Sequence, residues 1–142
     1  MYARTALAGL KGAHVVGIVL ISHSADLACG CRDLVAQVAG DGVRIEAAGG
    51  GPDGDLGTSS DLISAAIDRA EAGDGVLLLG DLGSSILVAR HLLSQLIPAA
   101  TVRIADAPFV EGAVAAAVAA ASGVSLDDVL RAAEDARDAR KL

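Results

Sequence analysis

The chain has 142 residues, which is enough for one domain with a substantial hydrophobic core. Hydrophobic residues make up 53% of it and aromatic residues only 1%, so the core must consist of Val, Leu, Ile and Ala, a composition typical of parallel α/β layers. The formal net charge of −7 argues against a nucleic-acid partner, because such proteins concentrate Lys and Arg where they contact phosphates. A membrane partner is not expected either, since no apolar run in the sequence reaches the roughly 20 residues of a membrane span.

The first residues have no sustained periodicity, so we expect residues 1–13 to be a flexible leader before a single domain at residues 14–142. A basic residue, Arg4, followed by the apolar run 15–21 is superficially similar to an export signal. The polar stretch 22–26 interrupts that run, which is also short for such a signal. Export is therefore disfavoured.

The first predicted element is a strand buried on both faces, because residues Val15–Ile21 form a continuous apolar run. Apolar residues then recur at helical spacing from Leu27 to Val38 and predict a helix with Ser24 or Asp26 as its N-cap. A second apolar run, Val43–Ala48, predicts the second strand.

The middle of the chain continues with a glycine-rich loop, Gly49–Gly57, and a helix capped by Thr58 or Ser59. The apolar run Val76–Leu79 predicts a third strand. The turn Gly80–Ser85 then leads into a third helix, which we expect to end at a proline, Pro98.

The last part of the chain has a fourth short strand pattern at Val102–Ala105, an Ala-rich helix at about 110–121, and a final helix that begins at Ser125. Strand and helix patterns that alternate in this way predict right-handed βαβ crossovers. The predicted fold class is therefore α/β: a doubly wound, mostly parallel open sheet with helices on both faces.

In such a sheet the site lies beyond the carboxyl ends of the strands, where the strand order reverses. The commonest small arrangement places the first strand between the second and the third, so the crevice opens between the loops that follow the first and third strands. Those loops contain His23 and Asp81. The other two histidines, His14 and His91, are interpreted as surface residues.

Asp81 is placed where it could hold the His23 imidazole in a neutral, nucleophilic form. A carboxylate beside the crevice can accept a hydrogen bond from Nδ1–H, which fixes the tautomer and leaves Nε2 as the nucleophile. Each residue also has a simpler interpretation, because His23 can fill the rim of the crevice and Asp81 can cap the following helix. The helices that begin after the loops at Thr58 and Ser84 offer N–H groups to an anion.

Three classes of protein compete for such a crevice. An α/β hydrolase would have a Gly-x-Ser-x-Gly motif after a strand, which the sequence lacks. A receiver-like regulatory module would share the aspartate after the third strand, but it needs an acidic pair where this chain has Ser22-His23-Ser24. A nucleotide-binding P-loop is excluded separately, because the loop Gly49–Gly57 lacks the Gly-Lys-Ser/Thr ending of that motif. A phosphohistidine carrier, with one histidine, an orienting carboxylate and a small rim, fits best.

The two cysteines, Cys29 and Cys31, lie two residues apart within the first predicted helix. That spacing directs them to different helix faces, so neither an intrachain disulfide nor a metal chelate is expected. Two unpaired thiols fit a reducing compartment.

Four stretches occur in the order found in a known family: GIVLISHSADLACG, LGTSSDLISAAI, GVLLLGDLGSSILVA and ADAPFVEGAVAAAVAAASG. Together they resemble the DhaM type of mannose-type enzyme IIA domain, the phosphotransferase subunit of bacterial dihydroxyacetone kinase. The resemblance covers roughly residues 14–130. Each stretch alone is weakly specific, whereas four in the correct order are strongly so.

This resemblance implies a cytoplasmic homodimer that transfers phosphoryl groups. Nε2 of His23 would accept the group from the phosphocarrier protein HPr, giving a tele-phosphohistidine, and Asp81 would orient the ring. The group would then pass to ADP on the nucleotide-binding kinase subunit, DhaL, while the subunit DhaK holds dihydroxyacetone. The chain would thus be a component of a phosphoenolpyruvate–glycerone phosphotransferase. Neither a cofactor nor a metal is implied for it.

The resemblance further implies a rim of small residues that contacts the phosphoryl group, at Ser22, Ser24, Thr58, Gly83 and Ser84, with Ala107–Glu111 beside it. Some relatives have fused phosphocarrier and enzyme I-like domains; because this chain stops at Leu142, we expect a separate donor protein. Two alternatives stay open, an enzyme IIA subunit of a mannose-type sugar permease and a receiver-like regulatory module. The stretches DLGSS and APFVEG favour the kinase branch over the permease branch.

Overall fold

The computed structural model describes residues 15–96 and 101–142. Four strands lie within these ranges: β1 Gly17–Ser22, β2 Ile45–Gly49, β3 Val76–Gly80 and β4 Val102–Ile104. The same ranges contain the helices α1 Ala25–Ala39, α2 Ser60–Ala70, α3 Gly83–Leu93, α4 Phe109–Ala121 and α5 Leu126–Asp135, and a short 3-10 turn at Ala136–Asp138. The expected leader, residues 1–13, and His14 lie outside the described residues.

The four strands form one parallel sheet in the order β2-β1-β3-β4. Since β1 lies between β2 and β3, Ile21 pairs with Ala48 on one side and with Gly80 on the other. The carboxyl ends of β1 and β3 therefore meet at one edge of the sheet, where parallel α/β folds place their sites. The predicted α/β fold is confirmed, including the central position of the first strand.

The core is divided by the sheet into two layers, because successive residues of a strand point to opposite faces. Ile18 and Leu20 of β1 pack with α1, α4 and α5, whereas Val19 and Ile21 pack with α2 and α3. Burial on both faces explains why β1 and β3 are continuous apolar runs rather than alternating ones.

The outward face of α1 is partly apolar. The predicted helix is present, but three of the large residues whose spacing indicated it are exposed: Leu27, Leu34 and Val38. The residues that α1 buries are Ala28, Cys31 and Val35. Ala28 is the buried residue nearest the end of β2, where α1 approaches Gly49 closely.

The end of α3 and the positions of the two cysteines on α1 can be compared with the sequence-based predictions. The third helix was expected to end at Pro98, which lies outside the described residues. In the structure α3 ends at Leu93, and just beyond it the Ser94 hydroxyl donates to the His91 C=O at 2.6 Å. The cysteines lie on different faces of α1 as predicted: Cys29 is exposed and Cys31 is buried. Burial raises the pKa of the Cys31 thiol.

None of the helices in the described part of the chain is both long enough and apolar enough to cross a membrane.

The contact between β2 and α1 generates a prediction about stability. A Cβ added at Gly49 would lie 2.6 Å from the Ser24 carbonyl oxygen and 2.7 Å from the Ala28 Cβ. We predict that Gly49→Ala lowers the free energy of unfolding by about 1–3 kcal/mol, as overpacking does elsewhere. Gly30→Ala is the matched control, since a Cβ there meets nothing within 4 Å and replaces a mid-helix glycine.

The control should raise the free energy of unfolding by about 0.5–1 kcal/mol. Both values are obtained from urea unfolding followed by circular dichroism. A Gly49→Ala protein as stable as the wild type would contradict the close packing of β2 on α1.

Candidate functional site

The sequence-predicted pair, His23 and Asp81, lies at the carboxyl ends of adjacent strands. His23 directly follows β1 and Asp81 directly follows β3, and Ile21 and Gly80 are paired in the ladder just before them. The Asp81 N–H donates to the Ile21 C=O at 3.0 Å, so strand pairing extends to the carboxylate's own residue. The sheet therefore holds the two side chains beside each other.

The Asp81 carboxylate accepts hydrogen bonds at both oxygens. Oδ1 accepts from the Leu82 N–H at 2.7 Å, the Ser85 hydroxyl at 2.7 Å and the His23 Nδ1 at 3.0 Å. Oδ2 accepts from the Ser22 hydroxyl at 2.9 Å and the His23 backbone N–H at 3.0 Å. These donors fix the position of the carboxylate. Because both of its oxygens accept hydrogen bonds and no acceptor faces it, the arrangement requires the ionised form of Asp81.

The pKa of Asp81 reflects these contacts. Its side chain is only 11% exposed, and burial by itself would raise the pKa. Hydrogen bonds from the Ser85 hydroxyl, the His23 N–H, the Ser22 hydroxyl and the His23 ring outweigh burial and hold the pKa of Asp81 well below its usual range. Asp81 is therefore an anion throughout the neutral pH range.

The His23 ring faces a carboxylate with one nitrogen and a hydroxyl with the other. Nδ1 has the proton, because its partner Asp81 can only accept. The Ser85 hydroxyl donates its single proton to Asp81, so its 3.1 Å contact with Nδ1 is one in which Ser85 accepts. In the neutral ring Nε2 keeps its lone pair and accepts from the hydroxyl of the exposed Ser84 at 2.7 Å.

Ser22 and Ser24 flank His23 but make different contacts. Ser22 is fully buried, and its hydroxyl donates to Asp81 and accepts from the Ser24 N–H at 3.0 Å. Ser24 is the N-cap of α1, where its oxygen accepts from the Leu27 N–H at 3.2 Å. The Ser22 proton is thus committed to Asp81, whereas the capping bond uses only the oxygen of Ser24 and leaves its proton for another acceptor.

The loop after β2 also reaches the site. The Gly57 N–H donates to the His23 C=O at 3.0 Å, and the next residue, Thr58, pairs with Gly50 in an isolated bridge. The Thr58 hydroxyl oxygen is buried and has no hydrogen-bond partner among residues 15–96 and 101–142. A buried hydroxyl without a partner is unusual in a folded protein.

On the other side of Asp81, the first turn of α3 contains Gly83 and Ser84. The early N–H groups of an α-helix have no partner within the helix, so this turn presents donors next to Nε2. Beyond it a cleft of about 640 Å³ lies between α3 and the loop after β4. Of the expected stretch 107–111, Ala107 lines this cleft, whereas Glu111 forms an ion pair at 2.6 Å with Lys141.

Sequence reasoning did not assign Ser85 to the site. This residue is fully buried and contacts both Asp81 and His23. The one sequence feature that could have indicated Ser85 is its spacing from Asp81. A serine four residues after an aspartate at the start of a helix lies one helical turn away on the same side. That spacing does not distinguish it from Ser84, whose side chain points to Nε2 instead.

Two further checks concern the other histidine on α3 and the possibility of a metal site. His91 is exposed on α3, as predicted. Within the two described ranges no three His, Cys, Asp or Glu side chains lie together as a metal-binding group would.

The fold and the single-histidine site correspond to a known family. Residues 17–130 match the model of the EIIA-man family, described as the PTS system fructose IIA component. The chain belongs to this family.

Curated relatives indicate the type within the family. The chain is 35% identical over 121 residues to the phosphoryl donor subunit DhaM of PEP-dependent dihydroxyacetone kinase 2 from Listeria innocua, a match that covers 82% of this chain and 95% of that relative. It is 38% identical over 132 residues to the phosphoryl donor subunit DhaM of the PEP-dependent dihydroxyacetone kinase of Escherichia coli K12. The predicted DhaM-type resemblance is thereby confirmed.

The relatives differ in how much of them this chain spans. The Escherichia coli match covers 89% of this chain but only 28% of that relative, so the chain corresponds to one part of a longer protein there. Among solved structures, EF1359, a protein of unknown function, has a TM-score of 0.76 and 30% sequence identity, over 85% of this chain and 94% of that one. It has the same fold.

The lowered pKa of Asp81 generates a prediction about acid stability. Because the folded-state pKa lies below the unfolded-state value of about 4, the stability that ionised Asp81 contributes is present above that pH and is lost as the pH falls below it. We predict that the free energy of unfolding falls more steeply between about pH 5 and pH 3 in the wild type than in Asp81→Asn. Urea unfolding at a series of pH values measures both slopes, and equal slopes would contradict the lowered pKa.

Proposed function

We propose that the chain is a phosphohistidine carrier that takes a phosphoryl group from HPr and passes it to ADP on the DhaL subunit of a dihydroxyacetone kinase. The observation that supports this proposal is the fixed His23 ring. Its Nδ1 is 3.0 Å from the Asp81 carboxylate, and among the described residues its Nε2 lone pair contacts only the hydroxyl of exposed Ser84. A neutral imidazole held in this tautomer is a nucleophile at Nε2.

In the proposed first step, Nε2 of His23 attacks the phosphorus of the donor's phosphohistidine in line with the bond that breaks. The new N–P bond forms as the donor N–P bond breaks, and its electron pair returns to the donor imidazole. The His23 ring becomes positively charged and keeps its proton on Nδ1. Asp81 stabilises that charge from 3.0 Å without taking the proton.

The transferred group has three oxygens that need donors. We assign these contacts to the Ser84 hydroxyl, which releases Nε2 and turns to the phosphoryl group, and to the N–H groups of Gly83 and Ser84 in the first turn of α3. The Ser24 hydroxyl would also donate to the transferred group, because its capping bond uses only the oxygen. The buried Thr58 hydroxyl, which lacks a partner among the described residues, would gain one by donating to the group or to a bridging water.

In the second step the direction of attack is reversed. A terminal oxygen of ADP on DhaL attacks the phosphorus, the N–P bond to His23 breaks, and its electron pair returns to Nε2. The ATP so formed phosphorylates dihydroxyacetone on DhaK, and the assembly is a phosphoenolpyruvate–glycerone phosphotransferase. The kinase names of the relatives support this branch over an enzyme IIA subunit of a sugar permease. The proposal includes a cytoplasmic homodimer, as the family resemblance implies.

The test is phosphorylation in a mixture of phosphoenolpyruvate, enzyme I and HPr, followed by intact-mass measurement. We predict one phosphoryl group per chain, stable to base and labile to acid as a phosphohistidine is. His23→Ala should abolish the adduct because it removes Nε2. His91→Ala is the control, since His91 is an exposed histidine on α3 outside the site. A full adduct on His23→Ala would overturn the proposal.

A further inference from the structure

The carboxylate oxygen of Asp81 that faces the His23 ring, Oδ1, accepts three hydrogen bonds. The Leu82 N–H and the Ser85 hydroxyl each donate to it at 2.7 Å, whereas the His23 Nδ1 lies at the longer distance of 3.0 Å. A carboxylate oxygen has two lone pairs, so the three donors compete for them. The bond from the ring, which is the longest, is therefore the weakest of the three.

Ser85 also contacts the ring itself. Its hydroxyl oxygen lies 3.1 Å from Nδ1 of His23, and its single proton is donated to Asp81. The Nδ1 proton is thus shared between two acceptors at nearly equal distances, the Asp81 carboxylate and the Ser85 oxygen. Because a neutral oxygen stabilises a positively charged donor less than an anion does, this sharing limits the effect of Asp81 on the ring.

The start of α3 and the end of β3 hold Ser85 in this position. Its N–H donates to the Leu82 C=O at 3.1 Å in the first turn of the helix, and the residue is fully buried. A Cβ added at Gly80 would lie 3.2 Å from the Ser85 Cβ, so the glycine allows the serine to approach the strand. Solvent does not reach the two contacts of the hydroxyl, which strengthens both of them.

The same hydroxyl reduces the basicity of the carboxylate. Burial by itself would raise the pKa of Asp81, and the hydrogen bond from Ser85 is the largest of the effects that lower this pKa. A carboxylate that is stabilised as an anion by one donor is a weaker acceptor for the others. Ser85 therefore acts on the pair of His23 and Asp81 in two ways, by sharing the ring proton and by weakening its other acceptor.

We propose that Ser85 is a positioning residue that keeps the phosphoryl group on His23 able to leave, by limiting how strongly Asp81 stabilises the phosphorylated ring. The inference rests on the proposed function, in which Nε2 accepts the group and the ring becomes positively charged. A carrier has to release the group as well as accept it, and an intermediate that is stabilised too strongly raises the barrier to the second transfer. Without the Ser85 hydroxyl, Asp81 would stabilise the positive ring more strongly.

The first measurement is the equilibrium constant for phosphoryl transfer from phospho-HPr to the chain, obtained from the intact masses of both proteins. Ser85→Ala should shift this equilibrium toward the phosphorylated chain by about three- to tenfold, the scale of one typical hydrogen bond. Ser85→Cys should shift it in the same direction, because the thiol fills the same space but is a weak donor. Ser94→Ala is the matched control, since the Ser94 hydroxyl donates to the His91 C=O outside the site.

The second measurement observes the ring proton in the unphosphorylated protein. The proton NMR signal of Nδ1–H should move downfield in Ser85→Ala and in Ser85→Cys, because the proton then bonds to Asp81 alone and more strongly. The same signal should stay in place in Ser94→Ala.

The outcomes separate this inference from the proposed function. If phospho-HPr leaves His23 of the wild type unmodified, the proposed function is wrong and the inference falls with it. If the wild type is phosphorylated but Ser85→Ala has the wild-type equilibrium constant, or a lower one, only the inference is wrong. A shift in Ser85→Ala that is absent in Ser85→Cys would also overturn it, because Ser85 would then act through packing rather than through its hydroxyl.

Discussion

One buried anion, the Asp81 carboxylate, is the group on which the rest of the site depends. It accepts from Ser22 and His23 at the end of β1 and from Leu82 and Ser85 at the start of α3. These donors come from the end of one strand, β1, and from the start of the helix that follows the neighbouring strand, β3. The carboxylate therefore fixes the local backbone and the imidazole tautomer together, and the proposed reactivity of Nε2 rests on that arrangement.

The surroundings of this anion bear on how a negatively charged chain would accept a phosphoryl group in the proposed function. The charge of Asp81 is neutralised in part by its own hydrogen bonds, and the first turn of α3, at the positive end of its dipole, contains Ser84, whose hydroxyl contacts Nε2. The local field at His23 is thus set by backbone donors and hydroxyl groups rather than by the net charge of −7.

The positions of His23 and Asp81 could be predicted because they depend only on strand order and on which residues follow each strand. The separate roles of Ser22, Ser84 and Ser85 could not, because they depend on the direction in which each side chain points. Ser22 was expected to be a rim residue that contacts the phosphoryl group. In the structure its hydroxyl donates its proton to Asp81. Contact between Ser22 and a phosphoryl group stays a prediction. Helical spacing likewise predicted α1 but could not say which of its apolar residues face the core, and Leu27 is exposed whereas Ala28 is buried.

The central claim, that Asp81 holds the proton on Nδ1 of His23 and leaves Nε2 as the nucleophile, can be measured directly. Nitrogen-15 chemical shifts of the neutral His23 ring distinguish a protonated ring nitrogen from one with a free lone pair. We predict a protonated Nδ1 and an unprotonated Nε2 in the wild type. A ring with its proton on Nε2, or an even mixture of the two tautomers, would contradict the claim and remove the physical basis for transfer at Nε2.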